Sequence, residues 1–267
     1  MDWPLKQHTY RMGSDRKSSA PASVCTRYHV PPDVSLVALR ALLTEIGREQ
    51  LHPKQLDLLR PSSEPDTETQ QDINLYYAGD LALLKRPTVA IVGAREVTDE
   101  GRSRTRRLVK ELSAAGVVVM SGRARGVDSE AHVGAIASGG STVAVIGTPI
   151  TKAYPSENAP LQEEIYKHHL LISPFRNGEQ VYRANFPKRN RIMAALSAAT
   201  VIMEASDTSG SLHQAAECQR LGRWLFIARA VAEDPSLKWP SKFLGKPRTA
   251  VLVETSDVLA AVVNADA

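Results

Sequence analysis

Val89-Ala-Ile-Val-Gly-Ala-Arg95 sets four consecutive apolar residues directly ahead of a glycine and an arginine. A strand with one wet face alternates apolar and polar residues, whereas an unbroken apolar run means burial on both faces, as in a parallel sheet covered by helices. The pattern repeats along the chain. β-branched and apolar runs recur at Val117 to Met120, Thr142 to Ile146, Leu170 to Ile172, Thr200 to Met203 and Trp224 to Ile227. Between them, helical periodicity covers about Glu100 to Ala115, Ser129 to Ser138, Ala159 to His168, Arg189 to Leu196 and Ser211 to Leu221. A last strand-like run, Ala250 to Val253, and a helix, Asp257 to Val263, close the chain. This alternation predicts an α/β domain over 73–267 with a doubly wound, mostly parallel, Rossmann-like sheet.

Towards the N-terminus the pattern changes. Val34, Leu36, Val37, Leu39, Leu42, Leu43 and Ile46 recur at helical spacing behind Asp33, a candidate N-cap, and Gly47 can end that helix. A second short helix is read at about Lys54 to Leu59, and the acidic, apolar-poor stretch Pro61 to Gln71 reads as a linker. Residues 31–72 are thus expected to be a small helical extension plus linker. Residues 1–30, polar and without either period, read as a disordered arm.

In a parallel sheet the loops that follow successive strands gather along one edge. Three of them here combine small residues with basic ones: Gly93 to Arg95; Ser121-Gly122-Arg123-Ala-Arg125-Gly126-Val-Asp128; and Phe186-Pro-Lys188-Arg189-Asn190-Arg191. Backbone N–H groups at helix starts and planar guanidinium forks are what phosphates bind to. A dinucleotide site would need G-x-G-x-x-G after the first strand and an acid about twenty positions on. Neither is present, so no NAD or FAD and no other cofactor is expected. Arg95 suits a phosphate, or else a salt bridge to Glu96 or Asp99. Asp128 is read as the cap of the following helix, and His132 either faces the crevice or packs in the interior. Arg102, Arg104, Arg106 and Arg107 are read as a solvated helix face.

The remaining numbers exclude some classes. The chain has 267 residues, 43% apolar and 23% charged, which suffices for one substantial core. Its two cysteines, Cys25 and Cys218, lie far apart and form no C-x-x-C or Cys/His pattern, so neither a disulfide framework nor a zinc site is expected. No apolar run approaches membrane-spanning length and the first residues lack a secretion signal, so a cytoplasmic protein is expected. A net charge of +4 separates a nucleic-acid binder from an ordinary basic enzyme only weakly.

A resemblance is carried by Leu-Tyr-Tyr-Ala-Gly-Asp-Leu at 75–81, Val-Ala-Ile-Val-Gly-Ala-Arg at 89–95, and Ser-Gly-Arg-Ala-Arg-Gly-Val-Asp-Ser-Glu-Ala-His at 121–132. Tyr154-Pro-Ser-Glu-Asn158, Phe186 to Arg191, Ala195-Leu-Ser197, Glu204-Ala, Ser209-Gly210-Ser211-Leu212 and Gly222-Arg223 follow in order. Over about 73–230 the chain resembles the bacterial DNA-processing protein A family, also called DprA or Smf. The resemblance implies single-stranded DNA binding on a Rossmann-like domain, homodimers, and help in loading RecA during natural transformation. It implies no enzymatic step. It assigns DNA-backbone contacts to Arg95 and Arg183 and an apolar surface near a base to Phe186, a pairing that suits a stacking platform beside a basic groove. Lys188, Arg189 and Arg191 would continue the electrostatic track, or one of them would pair with Glu204.

The chain also departs from that pattern. Arg123 stands where the family usually has leucine, which would add a cation to the pocket, and His213 and Gln214 replace the usual Ile-Thr. The start of the helix read at Ser211 to Leu221 either holds a phosphate or base or is simply capped. An enzyme needs a nucleophile, an acid–base pair or metal ligands. Ser121, Asp128, His132, Glu204, Ser209, Ser211 and His213 are available, but none falls in a catalytic spacing and no metal site is expected. Against DNA binding stand a nucleotide-derived ligand sensor or nucleotide hydrolase using the same pocket, and an accessory of a mobile-element or defence locus that kept the fold and changed partner.

Overall fold

The computed structural model describes residues 28–48 and 72–263. The short helix at 54–59, the linker at 61–71 and nearly all of the 1–30 arm lie outside the described residues. The strands are β1 (Ser35–Ala38), β2 (Asn74–Gly79), β3 (Thr88–Val92), β4 (Val118–Ser121), β5 (Thr142–Val145), β6 (Leu170–Ser173), β7 (Ala199–Ile202), β8 (Trp224–Ala228) and β9 (Thr249–Leu252). The α-helices are α1 (Leu39–Glu45), α2 (Asp99–Ala114), α3 (Val127–Ala137), α4 (Ala159–His168), α5 (Asn185–Leu196), α6 (Ser211–Arg220), α7 (Arg229–Ala232) and α8 (Thr255–Val263).

The nine strands of the described residues join one sheet in the order β1-β2-β6-β5-β4-β3-β7-β8-β9. From β6 to β9 every pairing is parallel. The chain steps outward from β3 through β4 and β5 to β6, then returns to the other side of β3 for β7, β8 and β9. That reversal between β3 and β7 is the topological switch point, where the flanking loops turn to opposite sides and leave a crevice at the carboxyl ends.

Alternation along the buried strands assigns the two faces. Val89 and Ile91 of β3 point to a core with Leu108, Val109 and Leu112 of α2, Val127, Ala131 and Ala135 of α3, and Val258 and Val262 of α8. Ala90 and Val92 point the other way, to Leu39, Leu42 and Leu43 of α1, Ile192 to Leu196 of α5, and Ala215 and Cys218 of α6. Leu112 is fully buried, and truncating a leucine at such a site costs about 2–5 kcal/mol. The Cys218 thiol is sealed in this core, and burial pushes its pKa up to about 12.

The helix expected behind Asp33 begins only at Leu39. Ser35–Ala38 is a strand, antiparallel to β2, which in turn runs antiparallel to β6. Val34 to Ala38 carry apolar residues that fit either period. Pairing with Asn74–Tyr77 satisfies the backbone of this stretch, which a longer helix would leave short of the sheet.

Candidate nucleic-acid interface

An open cleft of about 880 Å³ lies at the switch point. The turn after β3 contributes Gly93, Ala94 and Arg95, the segment after β7 contributes Glu204 to Ser206 and Thr208 to Ser211, and α5 contributes Phe186, Arg189, Asn190 and Met193. Backbone contacts make the first two of these one rim, since the Ala94 N–H donates to the Glu204 carbonyl at 2.6 Å. The Glu204 carboxylate accepts from the N–H and hydroxyl of Thr98, whose hydroxyl oxygen caps α2 by accepting from the Gly101 N–H. Trp239, fully buried, steadies the same rim from behind: its indole N–H donates to the Ala205 carbonyl and its backbone N–H to Asp207 Oδ1 at 2.7 Å.

Arg95 is exposed on this rim and, among the described residues, makes no ion pair. The expected alternative of a bridge to Glu96 or Asp99 is not formed. Phe186 is half-buried and lies against Tyr154, ring centroids 5.9 Å apart and tilted by 46°. Ser209 and Ser211 share a hydroxyl hydrogen bond of 2.7 Å around Gly210, just before and at the start of α6. Gly93, Arg95, Phe186, Arg189, Asn190, Ser209, Gly210 and Ser211 are thus brought together. Arg183 and Lys188 are exposed at the start of α5, outside the cleft lining.

The loop after β4 is turned inward instead. Ser121 is buried and its hydroxyl donates to the Ile91 carbonyl at 2.6 Å, joining β4 to β3. Gly122 is bare because Arg189 crosses it: a Cβ there would sit 1.8 Å from the guanidinium Nη1. Arg189 is itself buried, donating to the Val145 carbonyl at 2.7 Å and to Asn190 Oδ1 at 2.9 Å, and burial lowers its pKa despite the nearby Asp128 charge. It forms a floor to the cleft, where a solvated track of charge was expected.

Arg123 does not enter the cleft. Its φ of 59° swings the side chain into the interior, where it is 1% exposed and donates to the carbonyls of Tyr154 (2.7 Å) and Asn158 (3.1 Å). Gly126, at φ 74°, caps α3 with its backbone and fits tightly against Ala94 and Arg95. Asp128, expected as that cap, sits in the first turn and accepts from the Ala124 N–H; burial raises its pKa. Arg125 is exposed and pairs with Glu157 at 3.2 Å. Arg191 pairs with Glu217, not Glu204.

His132 packs in the interior, fully buried with Nδ1 2.7 Å from the Thr142 hydroxyl. Burial, helped by the charges of Arg123, His169 and Arg189, lowers its pKa to about 3. Arg102 and Arg106 pair with Glu130, and Arg107 with Glu111, as a solvated face should, but Arg104 reaches the cleft. Asp128, Arg104, His213 and Gln214 also line it, as do Thr98, Ala230, Val231, Asp234 and Leu237, which the sequence reading did not single out. Among the described residues no group of three or more His, Cys, Asp or Glu side chains could hold a metal, and no helix is long and apolar enough to cross a membrane.

Fold and cleft define the chain as an α/β protein with an arginine-lined crevice at the switch point of a largely parallel sheet. It belongs to the DNA recombination-mediator protein A family, whose profile matches residues 52–262. Over 152 residues it is 40% identical to DNA processing protein DprA of Streptococcus pneumoniae, covering 57% of this chain and 54% of that relative. The chain spans about half the length of the curated relatives it matches. The X-ray structure of the S. pneumoniae protein superposes with a TM-score of 0.65 at 33% identity, covering 79% of this chain and 71% of that one. DNA processing protein A from Helicobacter pylori, whose structure is described for its single-stranded DNA binding mode, gives 0.66 at 25% identity, covering 87% and 96%.

Proposed function

We propose that the switch-point cleft binds single-stranded DNA, and that the protein protects incoming strands and assists RecA loading in natural transformation. The observation that carries this reading is Arg95. It is an exposed guanidinium without a carboxylate partner among the described residues, on a rim shared with the Phe186 ring and the Ser209–Ser211 hydroxyls. A cation and an aromatic face lining one cleft suit a polymer that offers a phosphate and a base in turn. Arg183 and Lys188, exposed at the start of α5, would extend phosphate contact beyond the cleft. The H. pylori relative described as binding single-stranded DNA supports the same reading.

Fluorescence anisotropy with oligo(dT) across a salt series tests it. Binding should weaken steeply with salt, and Arg95→Ala with Arg183→Ala should reduce both affinity and salt slope. Salt-independent binding, or binding indifferent to the double substitution, would exclude the reading. A free nucleotide that binds saturably and is not displaced by oligo(dT) would point to a small-ligand site instead. Self-association belongs to the same proposal: sedimentation at micromolar concentration should show a dimer, and co-sedimentation with RecA on oligo(dT) should show the ternary assembly.

A further inference from the structure

Tyr154 is a large ring left 54% exposed, yet the loop beneath it is held more firmly than a surface loop requires. Arg123 grips its carbonyl at 2.7 Å and that of Asn158 at 3.1 Å, while the Asn158 amide donates back to the Arg123 carbonyl and to the Ser129 hydroxyl. Thr148 and Gln162 donate to further carbonyls of the same loop, those of Lys152 and Ile150. Arg123 accepts two costs in this role. Its backbone is left-handed at φ 59°, and its guanidinium is buried with no carboxylate ion pair among the described residues, which lowers its pKa to about 10. On the other side, Phe186 is set against the chain at Gly147, where a Cβ would come within 2.8 Å of the ring. The two rings therefore meet at the cleft edge with both backbones fixed.

We propose that Tyr154 is a second base-contacting ring, forming with Phe186 one step that receives a single unpaired base, and that Arg123 is the positioning residue that sets it. The inference rests on the single-stranded DNA reading of the cleft. A fixed, exposed, amphipathic ring loses little freedom when a base stacks on it, and stacking is indifferent to base identity.

Two probes separate this step from phosphate binding: oligo(dT) and an abasic oligonucleotide of the same length. Tyr154→Ala should weaken oligo(dT) binding about tenfold and leave abasic binding unchanged, and Tyr154→Phe should restore it. Arg123→Leu should lower the oligo(dT)-to-abasic affinity ratio in the same way, a change that loss of fold would not produce selectively. Should Arg123→Leu fail to fold, Asn158→Ala loosens the same loop and should lower the same ratio. An unchanged ratio in Tyr154→Ala, or an equal loss for both probes, overturns the base-contacting role. An unchanged ratio in the loop variants overturns the positioning role. If Arg95→Ala with Arg183→Ala leaves both probes bound as tightly as the wild type, the single-stranded DNA reading fails, and this inference with it.

Discussion

The turn after β3 and the turn after β4 look alike in sequence, each setting glycine beside arginine at the end of a buried strand, yet they face opposite ways. Arg95 stands in water on the rim of the cleft; Arg123 is folded into the interior and holds a neighbouring loop by its carbonyls. The difference is one backbone angle, the left-handed φ of Arg123. A guanidinium in a glycine-rich loop is therefore a ligand-binding group or a structural brace according to where its Cα–Cβ bond points, which composition does not record.

The two turns touch at Gly126, where the Val127 N–H donates to the Ala94 carbonyl at 3.1 Å. Gly126→Ala should disrupt both at once. It combines a left-handed L-residue with a Cβ 2.2 Å from the Ala94 oxygen, for an expected loss of about 3 kcal/mol or more in urea denaturation. Unchanged stability would show that the turns are not coupled there.

The inward-facing side also carries a pH signature. His132 on α3 titrates near 6.5 when unfolded and near 3 when folded, so the unfolded chain takes up the extra proton as pH falls. The stability this group supplies is complete above pH 6.5 and is lost towards pH 3, by at most about 1.4 kcal/mol per pH unit. Denaturation at pH 7, 6 and 5 should show this slope, and His132→Gln should flatten it by about one proton.

On the water-facing side the effects should be functional. Arg95→Ala is expected to weaken oligo(dT) binding roughly tenfold and to lower the salt slope by about 0.7, with thermal stability unchanged. The smallest effect is expected at Arg125, which belongs to the inward loop by sequence but to the surface by exposure. Its ion pair with Glu157 should contribute less than about 1 kcal/mol, and Arg125→Ala should leave the salt slope of oligo(dT) binding unchanged.

The parallel strands were legible because two-sided burial forces unbroken apolar runs, and the observed β3 to β9 begin within a residue of the sequence reading. β1 was not, since four residues with mixed exposure carry too little period to distinguish a strand from the first turn of a helix. At the cleft, Gly93, Arg95 and Ser209 to Ser211 were legible because strand ends and helix starts fix them, whereas Phe186 to Arg191, read as a loop, lie within α5. Arg123 and Arg189 were legible as charges but not as buried ones. Their direction depends on a single torsion and on the space that Gly122 leaves. Tyr154 stood within a quoted motif, but its place beside Phe186 requires the fold.

That space at Gly122 ties two distant positions together as a lock and its key. In a library randomised at 122 and 189 together, folded survivors should separate into two groups. One would keep glycine with arginine, and the other would pair a side-chain-bearing residue at 122 with something short at 189. Changing either position alone would leave a collision or an empty floor, so the two should be exchanged between relatives only as a unit.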